Sequence, residues 1–555
     1  LVGSQMCIRD RNYFLLTKTI FSLLLMCSLY ISGYAATPAR ATSTFSYEPD
    51  SVRKVLEQEQ RAAFNHFWQF ANKQTGMIHA SANVNNKNLT TGGSGFGVMV
   101  ILTGIERGWI SREVGAKRIL SLVRYLNKAD RIKGAWSHWM SAEGEPVKFG
   151  KQIEAGDLVE TSFMMMGLYA AQAYLTENNS VEKEIRKTVD SFRKTIQWSD
   201  FVHNGELYWL WERTNGAYTL PLHGYNEALV TYILALGAPD KYAIGADIYK
   251  NGWQQNGKIC KPNRVHYGYP FVMGAQLSGP LFLSHYSFLG INPKTMQDEY
   301  VDYQQYGTYH AMIHRHYCME VAPKEYRYDA FNWGLSAGSG PNQPVKKGYK
   351  PRTPKRDDGV IAPTAALSSM PYTPFYSIQM LLNLHYNCPK LHTPGGFGDG
   401  YSFVDDWYFK GRIAIDQAPI VIMIENYRSG FLWKLLANHP DIRKGMEKAG
   451  IHLPVHPTGF PYAIADTRTG YYDMLRHPDR KMYELDFYLE EAGQVSFQIC
   501  NEAGTKVLSE IPAKKYPKGL NQLSFDRSGL KDTQRCIIRL QENGQPKAEV
   551  KVQLN

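Results

Sequence analysis

The chain has 555 residues, of which 44% are hydrophobic and 20% are charged, a composition that excludes disordered and membrane-embedded proteins. Its length exceeds the roughly 250–300 residues at which one hydrophobic core usually stops growing, so we expect a large domain with a smaller one beside it. The formal net charge of +11 includes a basic loop over residues 346–356, but no nucleic-acid-binding motif accompanies it.

The first predicted element is an export signal within residues 1–36. Residues 1–11 look like an assembly or translation remnant and carry no structural prediction. An apolar run over residues 20–32 ends in Gly33-Tyr-Ala-Ala36, the small-x-small pattern of a signal-peptidase site. The run is shorter than the roughly 20 residues of a membrane span. We expect an exported protein, periplasmic or secreted, with no span after cleavage and no lipoprotein anchor at Cys27, which follows Met26.

Residues 50–440 have a mostly helical period, and the helical segments come in pairs of different character. Residues 93–106 are apolar almost all round, whereas residues 112–127 keep a single apolar stripe. The contrast recurs between residues 157–175 and 181–198. Because a helix that is apolar all round is buried and a striped one lies outside it, the pattern predicts an all-α (α/α)6 toroid over residues 37–478. Further helical segments are predicted at 225–237, 239–253, 279–289, 296–319, 373–386 and 416–438.

Two long loops rich in Gly, Pro and aromatic residues, 320–360 and 388–411, interrupt the helical region, and loops of that length are usually functional. From residue 479 the period changes to two, and Asn543-Gly544 is a hairpin signal. Residues 479–555 are therefore predicted to form a small all-β, sandwich-like accessory domain for glycan binding, docking or stabilisation. No Cys-x-x-Cys occurs, and only Cys500 and Cys536 are candidates for a disulfide.

Four carboxylates lie at the starts of apolar helical segments, where ionised groups are normally excluded. Asp157 and Glu160 are three residues apart and project from one helix face. Stabilisation by the helix dipole explains one of them more readily than both. Glu227 precedes another apolar run, and Asp416 precedes Pro419, so that Asp416 could instead be a helix N-cap.

Several carboxylates at the starts of helices are suited to glycoside hydrolysis. That reaction needs one carboxylic acid to protonate the leaving oxygen and a second carboxylate as base or nucleophile, ~6.5–9.5 Å away when water attacks with inversion. Acids that converge on one mouth of a toroid could supply both. Tryptophans close in sequence to these segments are candidates to stack on sugar rings: Trp136, Trp139, Trp211, Trp333 and Trp407.

Two other motifs are weaker. Gly334-Leu-Ser336-Ala-Gly338 matches a nucleophile elbow, but Ser-Gly-Pro follows in place of the helix that the motif requires. His310 and His314 are four residues apart on a predicted helix, but the Glu of the zinc-protease motif is absent. We therefore expect core or cleft-lining histidines and no metal or other cofactor.

Five stretches resemble the bacterial glucoamylase-like domain family and, within it, glycoside hydrolase family 144, the endo-β-1,2-glucanases. They are Thr103-Gly-Ile-Glu-Arg-Gly-Trp-Ile, Gly156-Asp-Leu-Val-Glu-Thr, Phe331-Asn-Trp-Gly-Leu-Ser, Asp358-Gly-Val-Ile-Ala-Pro-Thr-Ala-Ala and Ile415-Asp-Gln-Ala-Pro-Ile-Val-Ile-Met-Ile-Glu-Asn-Tyr-Arg-Ser-Gly. Together they span about residues 55–450. The resemblance implies an (α/α)6 barrel that cleaves β-1,2-glucan to short sophoro-oligosaccharides with inversion and without a required metal.

The four acids match the acidic positions of that family's site. We expect Glu227 to be the general acid, because an apolar helix should raise its pKa, and Asp416 to be the base. Asp157 and Glu160 would orient substrate and nucleophile. Two alternatives stay open: an exo-acting β-glucosidase or transglycosylase of the same fold, and a non-catalytic glycan-binding protein. We expect a monomer whose partner is an oligo- or polysaccharide.

Overall fold

A computed structural model of the chain describes residues 49–82, 87–151, 154–341, 348–454, 470–477, 482–489, 491–526, 530 and 535–553. These residues belong to one compact unit, residues 41–555. The predicted export signal lies outside the described residues. Within the described ranges, no helix combines the length and the apolar character that a membrane crossing requires.

The described residues before the C-terminal region form a mostly helical domain. Its thirteen α-helices are α1 Pro49–Gln69, α2 Thr91–Glu106, α3 Arg112–Lys128, α4 Leu158–Tyr174, α5 Ser180–Thr195, α6 Leu229–Gly237, α7 Ala246–Gly252, α8 Tyr303–His316, α9 Pro363–Leu367, α10 Pro374–Asn387, α11 Ala414–Ser429, α12 Phe431–Leu436 and α13 Pro440–Lys448.

The predicted contrast between buried and striped helices is confirmed. Helices α2 and α4 are buried along almost their whole length and pack against each other, and α11 packs on the other side of α2. Helices α3 and α5 bury a single stripe and pack together. The side chain of Ser111 caps α3 and that of Asn179 caps α5, as expected for residues that satisfy the free N–H groups of a first turn.

Some helix boundaries differ from the prediction. The segment 279–289 forms two 3₁₀ turns, Leu281–Ser284 and Tyr286–Leu289, because His285 departs from regular helical angles (φ −113°, ψ −55°). The segment 416–438 splits at Gly430, whose positive φ of 64° interrupts the helix. Helix α11 also begins earlier than predicted, at Ala414, so that Pro419 lies inside it.

Short strands connect the helices. They are β1 Leu89–Thr90, β2 Trp139–Met140, β3 Pro146–Val147, β4 Ala155–Asp157, β5 Val202–His203, β6 Glu206–Glu212, β7 Tyr218–Pro221, β8 Val265–His266, β9 Tyr269–Pro270, β10 Ala337–Gly338, β11 Lys350–Pro351, β12 His392–Thr393, β13 Gly396–Phe397, β14 Tyr401–Ser402 and β15 Trp407–Tyr408. The longest, β6, was not predicted. It pairs antiparallel with β4, β5 and β7 and thereby fixes the strand that ends at Asp157.

The C-terminal region is antiparallel β structure. Its strands are β16 Gly470–His477, β17 Met482–Leu489, β18 Gly493–Asn501, β19 Val507–Tyr516, β20 Gly519–Asp526, β21 Arg535–Glu542 and β22 Gln545–Gln553. They form a three-stranded sheet (β16-β17-β20) and a four-stranded sheet (β19-β18-β21-β22) that share one apolar core. Strand β16 precedes the boundary expected at residue 479, so the described β structure already begins at Gly470.

Cys500 and Cys536 lie on neighbouring strands of the four-stranded sheet. The residue directly opposite Cys536 is Asn501, one position beyond Cys500. Both cysteines are buried free thiols.

Candidate active site

The hydroxyl of Tyr286 marks the place where the predicted acids converge. It donates a hydrogen bond to Asp416 Oδ1 at 3.3 Å. Burial, together with the charges of Asp416, Glu227 and Glu160, raises the pKa of Tyr286 well above its ordinary value. Three of the four acids therefore act electrostatically on one buried hydroxyl, although they lie up to 256 residues apart in the chain (416 − 160).

Asp157 and Glu160 are held in place by the start of α4. Asp157 is its N-cap, and Oδ1 accepts from the backbone N–H of Glu160 at 2.8 Å. Glu160 Oε2 accepts from the N–H of Gly92 at 2.6 Å. The ring of His138 bridges the two acids, since its Nδ1 lies 2.8 Å from Asp157 Oδ2 and 4.0 Å from Glu160 Oε1. Asp157 thus both caps α4 and contacts the ring of His138.

The groups around His138 influence one another's pKa values. Burial raises the pKa of Glu160 to about 7; His138 opposes the rise and Asp157 adds to it. Burial opposes ionisation of His138, but the charge of Glu160 and the hydrogen bond to Asp157 raise its pKa overall. The ring of His138 also stacks on Phe149, with centroids 3.6 Å apart.

Glu227 lies in the turn immediately before α6. The hydroxyl of Ser287 fixes this turn, because it donates to the carbonyl of Glu227 at 2.7 Å and accepts from the N–H of Val230 at 3.0 Å. The Glu227 side chain is half-buried and forms no ion pair within the part of the chain that the structure describes. Desolvation raises its pKa to about 7, as the sequence predicted.

Asp416 is not the N-cap that its sequence context allowed. The N-cap of α11 is Ile413, and Asp416 lies in the first turn with its side chain directed to other groups. Asp416 is 1% exposed; its Oδ1 accepts from Tyr286, and its buried Oδ2 has no hydrogen-bond partner among the described residues. The helix begins early because the backbone N–H groups of Asp416 and Gln417 both donate to the carbonyl of Ile413.

Asp399 is a site residue that the sequence did not single out. It follows the β12–β13 hairpin, is 2% exposed, and accepts from the backbone N–H of Ser339 at 2.7 Å through Oδ2. Two buried carboxyl groups whose charges interact oppose each other's ionisation. Burial and the charge of Asp399 raise the pKa of Asp416 well above its ordinary value. The only sequence signal was the length of the Gly-rich loop 388–411, which carries no helical or strand period.

Two of the five predicted sugar-stacking tryptophans are corrected. Trp136 and Trp333 are each 0% exposed, so neither offers a free ring face to a ligand. Trp136 packs against Phe192 in the core and donates through Nε1 to a backbone carbonyl. Both tryptophans lie close in sequence to the acids, but their side chains are buried in the core.

The remaining tryptophans are partly exposed. Trp139 lies beside His138 and Phe149, with ring centroids 5.4 Å from each. The Lys133 ammonium lies 4.2 Å from the centroid of Trp211. Trp407 of β15 lies opposite Ser402 of β14 in a short hairpin. Sugar stacking at Trp139, Trp211 and Trp407 stays a prediction.

His310 and His314 belong to the core, as the sequence suggested. Both Nε2 atoms lie within hydrogen-bonding distance of the carbonyl of Gly279, at 2.9 and 2.8 Å. His310 Nδ1 bonds to Ser284 Oγ, and His314 Nδ1 accepts from the N–H of Leu335. Because all four ring nitrogens are occupied, neither ring has a lone pair for a metal ion.

The chain is similar to a family model and to several known proteins. The Glycoamylase family model, a model of glucoamylases, matches residues 219–440. An exo β-1,2-glucooligosaccharide sophorohydrolase (non-reducing end) from Parabacteroides distasonis is 35% identical over 443 residues, 75% of this chain and 60% of that protein. The solved structure of an endo-β-1,2-glucanase from Chitinophaga pinensis, in complex with sophorotriose and glucose, is 39% identical with a TM-score of 0.68.

Coverage differs between these relatives. The Chitinophaga pinensis match covers 74% of this chain and 100% of that one. The crystal structure of a β-1,2-glucanase from Parabacteroides distasonis is 35% identical with a TM-score of 0.68, and the match covers 72% of this chain and 60% of that one. This chain thus spans about three fifths of the length of the curated Parabacteroides distasonis relative. Because it covers the whole of a 39% identical relative, the chain belongs to the glucoamylase-like family, as its resemblance to glycoside hydrolase family 144 implied.

Proposed function

We propose that the protein is a glycoside hydrolase that cleaves β-1,2-glucan internally to short sophoro-oligosaccharides, with inversion of configuration. The observation that carries the proposal is that Asp416 accepts from the Tyr286 hydroxyl, on which the charges of Glu160 and Glu227 also act. Full coverage of the Chitinophaga pinensis endo-β-1,2-glucanase supports the substrate and the endo mode.

Glu227 is our general acid. A general acid works best when its pKa lies near the working pH, and desolvation brings the pKa of Glu227 to about 7. Since no cation pairs with it among the described residues, no ion pair has to break before its proton moves. In the reaction, Glu227 would donate this proton to the glycosidic oxygen as the bond to the anomeric carbon breaks.

The base is the Asp416–Asp399 pair rather than Asp416 alone. With one proton between them, the two carboxyls together carry one negative charge. That charge can accept a proton from water, or from a substrate hydroxyl that relays it, as the oxygen attacks the anomeric carbon. Tyr286 donates to Asp416 Oδ1 and helps to hold this carboxyl in one orientation.

Asp157, Glu160 and His138 would orient the sugar. The three groups are linked within 4.0 Å and present hydrogen-bonding atoms beside partly exposed rings. The polar groups suit sugar hydroxyls, while Trp139 and Phe149 offer flat faces for the C–H side of a pyranose ring. We assign this group to substrate binding and orientation because Asp157 is already committed to capping α4.

The proposal extends to the architecture. Helices α2, α4, α6 and α11 are buried along their lengths, and α3, α5 and α13 pack outside them, an arrangement that supports an (α/α)6 toroid with the acids at one mouth. The two C-terminal sheets, with a common apolar core, support a β-sandwich.

We further propose that the protein acts as a monomer after export to the periplasm or the medium. The support is the apolar run and the small-x-small pattern that end at Ala36. Fractionation of expressing cells, with N-terminal sequencing of the mature protein, tests this. A chain that starts at or near Thr37 outside the cytoplasm is expected, and an uncleaved cytoplasmic chain would contradict it.

A digest of defined glucans tests the activity. Incubation with β-1,2-, β-1,3- and α-1,4-glucans is expected to yield products from β-1,2-glucan only, beginning with a mixture of sophoro-oligosaccharides. Proton NMR at early times should show the α-anomer first, since inversion of a β-linkage produces it. Binding without any cleavage would leave only the glycan-binding alternative.

An exo mode is the second candidate, because the 35% identical Parabacteroides distasonis protein is an exo sophorohydrolase. The same digest separates the two modes. Sophorose as the sole early product, with a slow fall in polymer length, would identify an exo enzyme. A rapid fall in polymer length with several oligosaccharides identifies the endo enzyme.

A further inference from the structure

Three metal-binding side chains meet away from the carboxylates of the active site. Glu59 lies in the middle of α1, His385 in the last turn of α10 and His392 at the start of β12. Glu59 Oε1 lies 2.6 Å from His385 Nδ1 and 3.9 Å from His392 Nδ1. One ligand atom from each residue lies within 4.8 Å of the other two.

The Glu59 carboxylate has an oxygen without a partner. Its side chain is 2% exposed, so water reaches it poorly. Although Oε1 is engaged by His385, no donor contacts the buried Oε2 among the residues that the structure describes. A buried carboxylate oxygen without a donor is costly, which points to a missing cation or donor at this place.

His392 is oriented as a metal-ligating histidine usually is. Its Nε2 lies 3.3 Å from the carbonyl of Leu384, an acceptor that requires the N–H on this nitrogen. In the neutral ring, Nδ1 then carries a lone pair, and it faces the carboxylate of Glu59. The lone pairs of His392 Nδ1 and Glu59 Oε1 thus face each other at 3.9 Å, and a cation between them would be attracted to both. A backbone carbonyl on the far ring nitrogen is the common outer partner of a metal-bound histidine.

We propose that Glu59, His385 and His392 bind a divalent transition-metal ion of the zinc class. Two imidazoles and one carboxylate suit Zn²⁺, whereas Ca²⁺ and Mg²⁺ prefer oxygen ligands. Tetrahedral ligands at ~2.1 Å from zinc lie ~3.4 Å apart, between the two separations seen here. Side-chain movements of about 1 Å would therefore close the site. The 33% exposed His392 side chain leaves a path for the ion and a position for water.

The site would tie three separate segments together, one of which leads to the loop that carries Asp399. It joins α1 and α10 to the β12–β13 hairpin, whose last residue, Phe397, precedes Asp399 by two positions. The carbonyl of Phe397 accepts from Gln417 Nε2 at 2.9 Å, next to Asp416. The ion would thus stabilise the loop that carries Asp399, without touching substrate itself.

Metal titration of the tag-free, chelator-treated enzyme tests the proposal. Calorimetry with Zn²⁺ alone is expected to show one site per chain with a Kd of about 1 µM or tighter, and Zn²⁺ should raise the melting temperature. His392→Gln should weaken binding by at least about 10-fold, since one of three ligands is lost. His452→Gln, which changes an exposed histidine outside the cluster, should bind as the wild type does.

Cobalt provides a readout that does not depend on a variant. Co²⁺ added to the wild-type chain should give the intense visible absorption of a four-coordinate ion, and Zn²⁺ should displace it. Circular dichroism of His392→Gln checks that the fold is kept. Absence of saturable Zn²⁺ binding in the wild type, or equal affinity in wild type and His392→Gln, would overturn the proposal and leave the three residues as an ordinary ion-pair cluster.

Discussion

Asp416 and Asp399 are both almost completely buried, and the charge of Asp399 helps to raise the pKa of Asp416 well above its ordinary value. In this environment the two groups cannot both ionise, so they retain one proton at pH values where isolated aspartates have lost theirs. The protonation of either residue therefore depends on the other. Any account of the catalytic base has to treat them as one unit.

Asp399→Asn is expected to shift the pH dependence of the reaction. A neutral amide replaces the charge that raises the pKa of Asp416, so that pKa falls. The acidic limb of the kcat/KM profile should move to lower pH. Asp406→Asn is the control, because Asp406 lies in the same loop but is exposed and pairs with Lys390. An unchanged acidic limb in Asp399→Asn would rule out the coupling.

The pair should also show non-additive effects. Asp399→Asn and Asp416→Asn should each lower kcat/KM, Asp416→Asn by about 10²–10⁴-fold as expected for loss of a general base. The double variant should lose little more than Asp416→Asn alone, since the two residues act as a unit. A double variant whose loss equals the product of the two single losses would show that they act independently.

Glu227→Gln removes the proposed acid and keeps the shape of the side chain. The expected loss in kcat/KM on β-1,2-glucan is about 10²–10⁴-fold, with binding largely kept. Glu206→Gln is a matched control at a partly exposed acid that pairs with His223. Hydrolysis by Glu227→Gln at the wild-type rate would show that another group protonates the leaving oxygen.

The stability of the fold should depend on pH through Glu227. The folded state raises the pKa of Glu227 from 4.5 to about 7, so between these values it holds a proton that the unfolded chain has released. Stability therefore falls as pH rises through this window. In the wild type, the free energy of unfolding should fall between about pH 5 and pH 8. Glu227→Gln should make this fall smaller by about 1–3 kcal/mol, a range limited by the half-buried position of the side chain. Urea denaturation at both pH values measures this.

Substitution of a buried tryptophan should affect stability, and substitution of a partly exposed one should affect substrate binding. Trp136→Ala should destabilise the fold by about 3–5 kcal/mol, since it empties a closed core site. Trp139→Ala should leave the melting temperature nearly unchanged and raise KM for β-1,2-glucan, because its ring lies partly exposed beside His138. Thermal unfolding and steady-state kinetics of the two variants separate the roles. Equal losses of stability would contradict the division.

The helical period of the sequence determined where the long helices lie and which of them are buried. Residues 93–106 and 157–175 are apolar all round and form the buried helices α2 and α4. A helix has apolar residues on every face when it is surrounded by other protein segments. The same pattern exposed Asp157 and Glu160 as acids in an apolar segment. The change to a period of two located most of the C-terminal strands.

The tertiary structure alone decided which groups meet. Asp399 sits in a loop without a period, and its importance comes from Asp416, 17 positions further along (416 − 399). Trp136 and Trp139 are three residues apart, yet one is core and the other lies at the surface of the site. Local patterns cannot show such differences, because the pKa of a carboxyl and the exposure of a ring depend on segments that are distant in sequence and adjacent only after folding.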